Sequence, residues 1–280
     1  MTYFSASYTD FIKFNRKPNE DFYLISSVSP IFTVADGVTQ GRFESGAYAF
    51  PTGARAAAQI FCYTNLEFLE KNIDFKQKDN LGFNKALIEK SFNLANRRIK
   101  ELNINEGINK KLNYFDYDWF DAVGALGFIL GNNLYYGFVG DCGLAIFNKA
   151  NQLKFQTKDE VQPFLEKAKK IYKNWGELSF KQKSIIQHKD FRNSHSGQGY
   201  GSFSGEEGVK KYYQIDRKSL NEGDLVIFYS DGFSDYFKEP VFIEILRRKD
   251  KKSLSVLTLE KAKNNPLKYG TDRTLISINF

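Results

Sequence analysis

Between Asp121 and Gln156 the chain runs through GALGFIL, Gly131-Asn132-Asn133, LYYGFVGD, LAIFN and LKFQT. Apolar, β-branched and aromatic runs this short, separated by turn residues, predict a meander of antiparallel strands. The segment 22–35, FYLISSVSPIFTVA, is broken at Ser29-Pro30 and predicts two more strands joined by a turn. Further strands are expected near Lys211–Ile215, at Leu225–Ser230 and at Thr274–Phe280. Helical spacing appears elsewhere: Ala47, Phe50, Ala54, Ala57, Ala58, Phe61, Leu66 and Leu69 share a face between Glu44 and about Asn72, with Pro51 marking a start or a kink. Other helices are expected from about Asn84 to Leu102 and near 238–249 and 253–264. Strands in runs and helices in pairs predict an α+β fold of antiparallel sheets with helices packed outside them, rather than alternating parallel units.

No repeat or low-complexity linker divides the chain, so a single domain over 1–280 is expected. The Lys-rich stretch 160–190 is ambiguous, and RNSHSGQGYGSFSGEEG at 192–208 predicts a mobile glycine- and serine-rich loop. With 27 Phe and 16 Tyr the chain can bury a large core, which excludes overall disorder.

A formal charge of +7 permits anionic partners, but the lysines are scattered among polar residues as on a solvated surface. No nucleic-acid partner is therefore expected. Cys62 and Cys142 are the only cysteines, too few for a disulfide framework or a sulfur-ligated zinc site. The N-terminus lacks the apolar core of a leader, and no run of 18 apolar residues follows. A cytoplasmic protein with no membrane partner is the expectation.

Three acidic residues adjoin apolar strands: Asp36 in IFTVADG, Asp231 in LVIFYSDG and Asp272 just before TLISINF. A buried strand cannot hold a carboxylate within it, so each Asp falls at a rim, where several rims can assemble one site. Taken singly, Asp-Gly is a turn signal; two such pairs after hydrophobic strands favour a site. Gly37 lets the backbone carbonyl approach a cation closely, and an all-oxygen site prefers Mg or Mn to zinc.

Several blocks resemble the metal-dependent Ser/Thr protein phosphatases of type 2C, the PPM family. Arg16-Lys17-Pro18-Asn19-Glu20-Asp21 is similar to the opening R-x-x-N-E-D, and Phe32-Thr33-Val34-Ala35-Asp36-Gly37 to F-x-V-x-D-G. Leu134 to Cys142 resembles the l-y-v-a-n-v-G-D-S block, and Gly223-Asp224 through Phe228 to Asp235 resembles G-D-x-l-l-l-x-S-D-G-l-x-D. Thr271 to Ile278 is similar to the closing D-N-x-T segment, and Gly199 to Glu206 to a glycine-rich stretch near the active site of some bacterial relatives. The blocks follow the family's order and span nearly the whole chain.

The resemblance implies an αββα fold, two antiparallel sheets packed as a sandwich with helices on both outer faces. It implies a metal-dependent Ser/Thr protein phosphatase using two or three divalent cations, Mn or Mg. Its substrate is then a phosphorylated protein, with room for a cognate kinase as a second partner. Asp36 would bridge two cations, Gly37 would offer a carbonyl, Glu20 would hold a metal-associated water, and Asp231 and Asp272 would complete the set. Asp141 would help hold a third cation, Arg16 would clamp the phosphoryl group, and Asp21 would support the water network.

Departures accompany the match. Val38 stands where several eukaryotic relatives place a His that protonates the leaving alcohol, Arg273 replaces an Asn, Val38-Thr39-Gln40-Gly41 replaces a glycine-richer run, and Asp121-Ala122 lies where a Thr-Ala pair is expected. They motivate an alternative, a catalytically weak or inactive pseudophosphatase that binds a phosphoprotein without turnover. Cys142 lacks a base partner, and His188 and His195 are isolated, so none of the three is assigned a catalytic role.

Overall fold

The structure is a computed structural model that describes residues 1–9, 19–38, 53–75, 79–107 and 119–280. In chain order the elements are β1 (Thr2–Tyr8), β2 (Phe22–Ile25), β3 (Ile31–Gly37), α1 (Gly53–Asn72), α2 (Leu81–Asn105), β4 (Ala122–Leu130), β5 (Asn133–Val139), β6 (Gly143–Phe147) and β7 (Leu153–Gln156). There follow α3 (Gln162–Ile171), α4 (Phe180–Ile186), β8 (Gln214–Ser219), β9 (Leu225–Tyr229), α5 (Pro240–Arg248), α6 (Lys251–Asn264), α7 (Pro266–Tyr269) and β10 (Arg273–Asn279).

The strands form two five-stranded sheets, ordered β1-β10-β9-β6-β7 and β2-β3-β4-β5-β8. Neighbouring strands are antiparallel throughout. The side-chain period of two explains why the strands read as nearly continuous apolar runs. In β3, Phe32 and Val34 enter the core between the sheets, while Ile31 and Ala35 pack beneath α1 and α2. In β9, Val226 and Phe228 face inward, and Leu225, Ile227 and Tyr229 pack under α5 and α6 with Phe242, Leu246 and Leu254. Both faces of β3 and β9 are covered, so polar residues collect at the ends of these strands. Phe32 and Phe228 stack across the inner layer with ring centroids 6.0 Å apart. The expected α+β sandwich with outer helices is the architecture observed.

The helices start and stop on local signals. Asn80 caps α2 by accepting from the Phe83 amide at 3.0 Å, and Asp250 caps α6 by accepting from the Ser253 amide at 3.0 Å. The first helix is described from Gly53; its expected beginning at Glu44 lies outside the described residues. Trp119 and Phe120, just before β4, are buried.

Two strands differ from expectation. β1 gave no strong apolar signal because it is a sheet edge, paired only with β10. The strand expected at Lys211–Ile215 begins instead at Gln214, after a 3-10 turn over Glu207–Tyr212. Segment 192–208, glycine- and serine-rich, is tied down by buried hydrogen bonds: Asn193 Nδ2 donates to the Ser202 carbonyl at 3.0 Å, and Phe203 and Ala122 exchange backbone bonds at 2.8 and 3.2 Å. Among the described residues no helix is long and apolar enough to cross a membrane.

Candidate metal centre

At one end of the sandwich, strand ends from both sheets deliver carboxylates to one pocket of about 260 Å³. Asp36 occupies the penultimate position of β3, paired with Val123 of β4. Asp141 sits in the turn between β5 and β6, Asp231 opens the turn after β9, and Asp272 precedes β10. All four line the pocket, together with Val38, Val123, Val161, Gln187, Tyr200 and Thr271.

Backbone geometry sets these positions. The Glu20 amide donates to Asp272 Oδ2 at 3.1 Å, and the Gly37 amide donates to the Glu20 carbonyl at 3.2 Å, joining three predicted site residues in one chain of contacts. A Cβ on Gly37 would run into the Ala54 carbonyl, so only glycine lets the strand end pass the start of α1. Gly232 has the same role beside Asp231, where a Cβ would strike the Asp272 carbonyl.

Ser230 joins the two sheet ends through its side chain. Its hydroxyl donates to Asp21 Oδ2 at 2.7 Å and accepts from the Thr274 amide at 2.9 Å. Arg55 of α1 donates to the carbonyls of Asn19 at 2.6 Å and Asp21 at 3.2 Å, fixing the strip that carries Glu20. Arg16 lies outside the described residues.

The electrostatics are those of crowded anions. Burial pushes the Asp21 carboxyl up to about 7, with the charges of Asp272 and Asp231 adding to the shift and the Ser230 hydrogen bond opposing it. Asp141 is raised well above the usual carboxylate range by burial first and then by Asp231 and Asp159. Burial, followed by the charge of Asp36, lifts the Cys142 thiol well above its usual range, in keeping with the absence of any assigned nucleophilic role.

Among the described residues no three His, Cys, Asp or Glu side chains stand close enough to form a closed metal cage. The donor chemistry nevertheless fits hard divalent cations: the pocket's carboxylates are oxygen donors, they converge from both sheets, and they repel one another. Asp21 Oδ1 is buried without a hydrogen-bond partner among the described residues, a cost that a nearby cation would offset.

Sequence reasoning missed two participants: Gln187 comes from a segment with no strand-end signal, and Arg55 lies on an ordinary-looking helix face. Tyr200 belongs to the Gly199–Glu206 stretch whose resemblance pointed to the neighbourhood of an active site, and it lines the pocket. Asp121, noted in the sequence as a departure, proves to be fully buried and ion-paired with Arg192 at 3.1 Å. Val38, another of the departures, places an apolar side chain in the pocket lining.

No protein-family model and no curated protein sequence matches the chain. Solved structures do. The catalytic domain of the serine/threonine protein phosphatase PstP, in complex with two manganese ions, superposes with a TM-score of 0.58 at 15% identity, covering 99% of this chain and 96% of that one. The S. agalactiae serine/threonine phosphatase gives 0.59 at 16% identity over 99% and 97%. PppA, a regulatory component of the type VI secretion system in Pseudomonas aeruginosa, gives 0.58 at 14% over 100% and 99%. The likeness defines the class of fold: this is the two-sheet, helix-flanked architecture of the PPM-type Ser/Thr phosphatases. The fold agrees with the resemblance carried by the sequence blocks.

Proposed function

We propose that the protein is a metal-dependent phosphomonoesterase acting on phosphoserine or phosphothreonine in proteins. The observation that carries this reading is the convergence of Asp36, Asp141, Asp231 and Asp272, from both sheets, on one pocket. Asp36 with the Gly37 carbonyl and Glu20 would hold one divalent cation, Mn or Mg, and Asp231 with Asp272 the other, with Asp141 available to a third. When bound, such cations act as Lewis acids that ready a water for attack on phosphorus and neutralise charge on the phosphoryl oxygens.

The chain's own residues then have distinct tasks. The buried Glu20–Asp272 contact and the Ser230–Asp21 bond hold the acidic groups in register before substrate arrives, so little reorganisation remains for the reaction. Arg16 is the proposed phosphate clamp, since a guanidinium fork donates two bonds to phosphoryl oxygens. Val38 offers no proton, so the leaving alcohol takes its proton from water. The substrate is a phosphoprotein, and a cognate kinase is the natural opposing partner.

A second reading, a pseudophosphatase that binds a phosphoprotein without turnover, is favoured by Val38 in the pocket lining. Calorimetric titration of Mn into wild type and Asp36→Asn, with phosphate release from a phosphothreonine peptide measured on the same samples, separates the two. The phosphatase reading expects metal binding and turnover, both lost in the variant. Metal and peptide binding without release would establish the second reading instead.

A further inference from the structure

The pocket has two kinds of boundary. Asp36, Asp231 and Asp272 stand on strand ends, but Gln187 and Tyr200 belong to a stretch outside both sheets. What holds that stretch is a buried charge network. Arg192 Nη1 pairs with Asp121 Oδ2 at 3.1 Å, both side chains only 1% exposed, and Nη2 pairs with Glu206 Oε2 at 3.2 Å. Ser202 Oγ donates to the same Asp121 oxygen at 2.9 Å. Asn193 Nδ2 and Ser204 Oγ donate to Glu206 Oε2 at 2.9 and 2.7 Å.

The network touches the pocket lining on both sides. The Arg192 amide donates to the Gln187 carbonyl at 2.8 Å, and Arg192 and Tyr200 form a β-bridge. The Asp121 carbonyl accepts from the Val38 amide at 3.0 Å, two residues beyond Asp36. A single guanidinium thus spans from the strand end beside the acidic cluster to the segment that supplies Tyr200.

A buried ion pair is a poor source of net stability, because desolvation consumes most of its Coulomb gain; its value lies in register. Apolar contacts tolerate sliding, whereas a desolvated carboxylate is satisfied in one arrangement only. We infer that Arg192 is a positioning residue of the site: paired with Asp121 and Glu206, it holds the Gln187–Tyr200 wall against the strand end beside the acidic cluster, as the side of the pocket that a phosphoprotein chain meets. The inference concerns the same pocket and rests on the phosphatase reading for its kinetic consequence, but not for its structural one.

The test uses the full chain with Mn and two variants, Arg192→Lys, which keeps the charge but loses the fork, and Glu206→Gln at the more exposed end of the network. Hydrogen exchange of amides 193–203 is expected to speed up about 10-fold while β4 and β5 amides hold their rates. KM for a phosphothreonine peptide is expected to rise about 10-fold with kcat for p-nitrophenyl phosphate within about 2-fold of wild type. Unchanged exchange in both variants overturns the inference, as does a uniform loss of protection through both sheets, which marks a general packing role. Should the wild type release no phosphate at all, the exchange result still decides this inference while the phosphatase reading alone fails. If Arg192→Lys does not fold, Glu206→Gln carries the same comparison.

Discussion

The strand-end rim and the Gln187–Tyr200 wall enclose the same pocket but are held by different forces. Behind the rim lie continuous apolar layers: Phe32, Val34, Phe228 and Ile276 between the sheets, and Ile227, Phe233, Phe242 and Leu275 beneath the helices. Behind the wall, among the described residues, lie a small cluster of Ala168, Phe191 and Tyr200 with half-buried neighbours and the Arg192 network. Hydrophobic burial fixes the acidic residues to the body of the molecule, while hydrogen bonds and ion pairs set the wall. A site divided in this way can alter its substrate-facing side without disturbing the residues proposed to hold metal.

The comparison breaks most readily at the core. Phe228→Ala removes a fully buried ring from the inter-sheet layer and is expected to cost about 3–5 kcal/mol in urea unfolding. Phe191→Ala in the wall cluster is expected to cost less than half as much, because the wall opens locally without the sheets. Equal losses would mean that rim and wall unfold as one unit.

Gly232→Ala probes the rim at its tightest point. The new Cβ meets the Asp272 carbonyl and the Arg273 side chain, so a loss of about 1–3 kcal/mol is expected, with weakened Mn binding by calorimetry. Full stability with unchanged metal affinity would show that the two loops can part at no cost.

The smallest effect sharpens the electrostatic side of the comparison. Burial pushes the Glu160 carboxyl up to about 7, and its Oε2 has no hydrogen-bond partner among the described residues. A raised folded-state value means that the native protein binds the proton more tightly than the unfolded chain, so stability falls as pH rises from the unfolded value through about 7. Allowing for solvent screening at this partly exposed position, Glu160→Gln should stabilise by about 1–2 kcal/mol at pH 8 and by almost nothing at pH 4. An equal effect at both pH values would remove the charge explanation.

Legibility in the sequence follows the same division. Asp36, Asp231 and Asp272 could be read because a covered strand admits no carboxylate until it ends, and each of these runs is long and apolar. The sheets and outer helices were legible through periods of two and 3.6 for the same reason. β8 was misplaced by a few residues because Gln214–Ser219 is a polar edge strand, and β1, the edge beside β10, carries little apolar signal. The wall was legible only in part, through the resemblance of Gly199–Glu206 to a glycine-rich stretch near an active site; the network that holds it was not. Arg192 and Asp121 lie 71 residues apart in chain order and pair only in the folded molecule, so no local pattern announces them. Glycine and serine in 192–208 signalled breaks in regular structure, but Asn193, Ser202 and Ser204 use that freedom to make buried bonds.

The most direct test of the central claim is phosphate release from a phosphothreonine peptide with Mn, with Mg and with chelator, in wild type and Asp231→Asn. Release that requires metal and falls at least about 100-fold in the variant is the predicted result. A folded wild type that binds Mn and releases no phosphate, or a variant that releases it as well as wild type, would contradict the account.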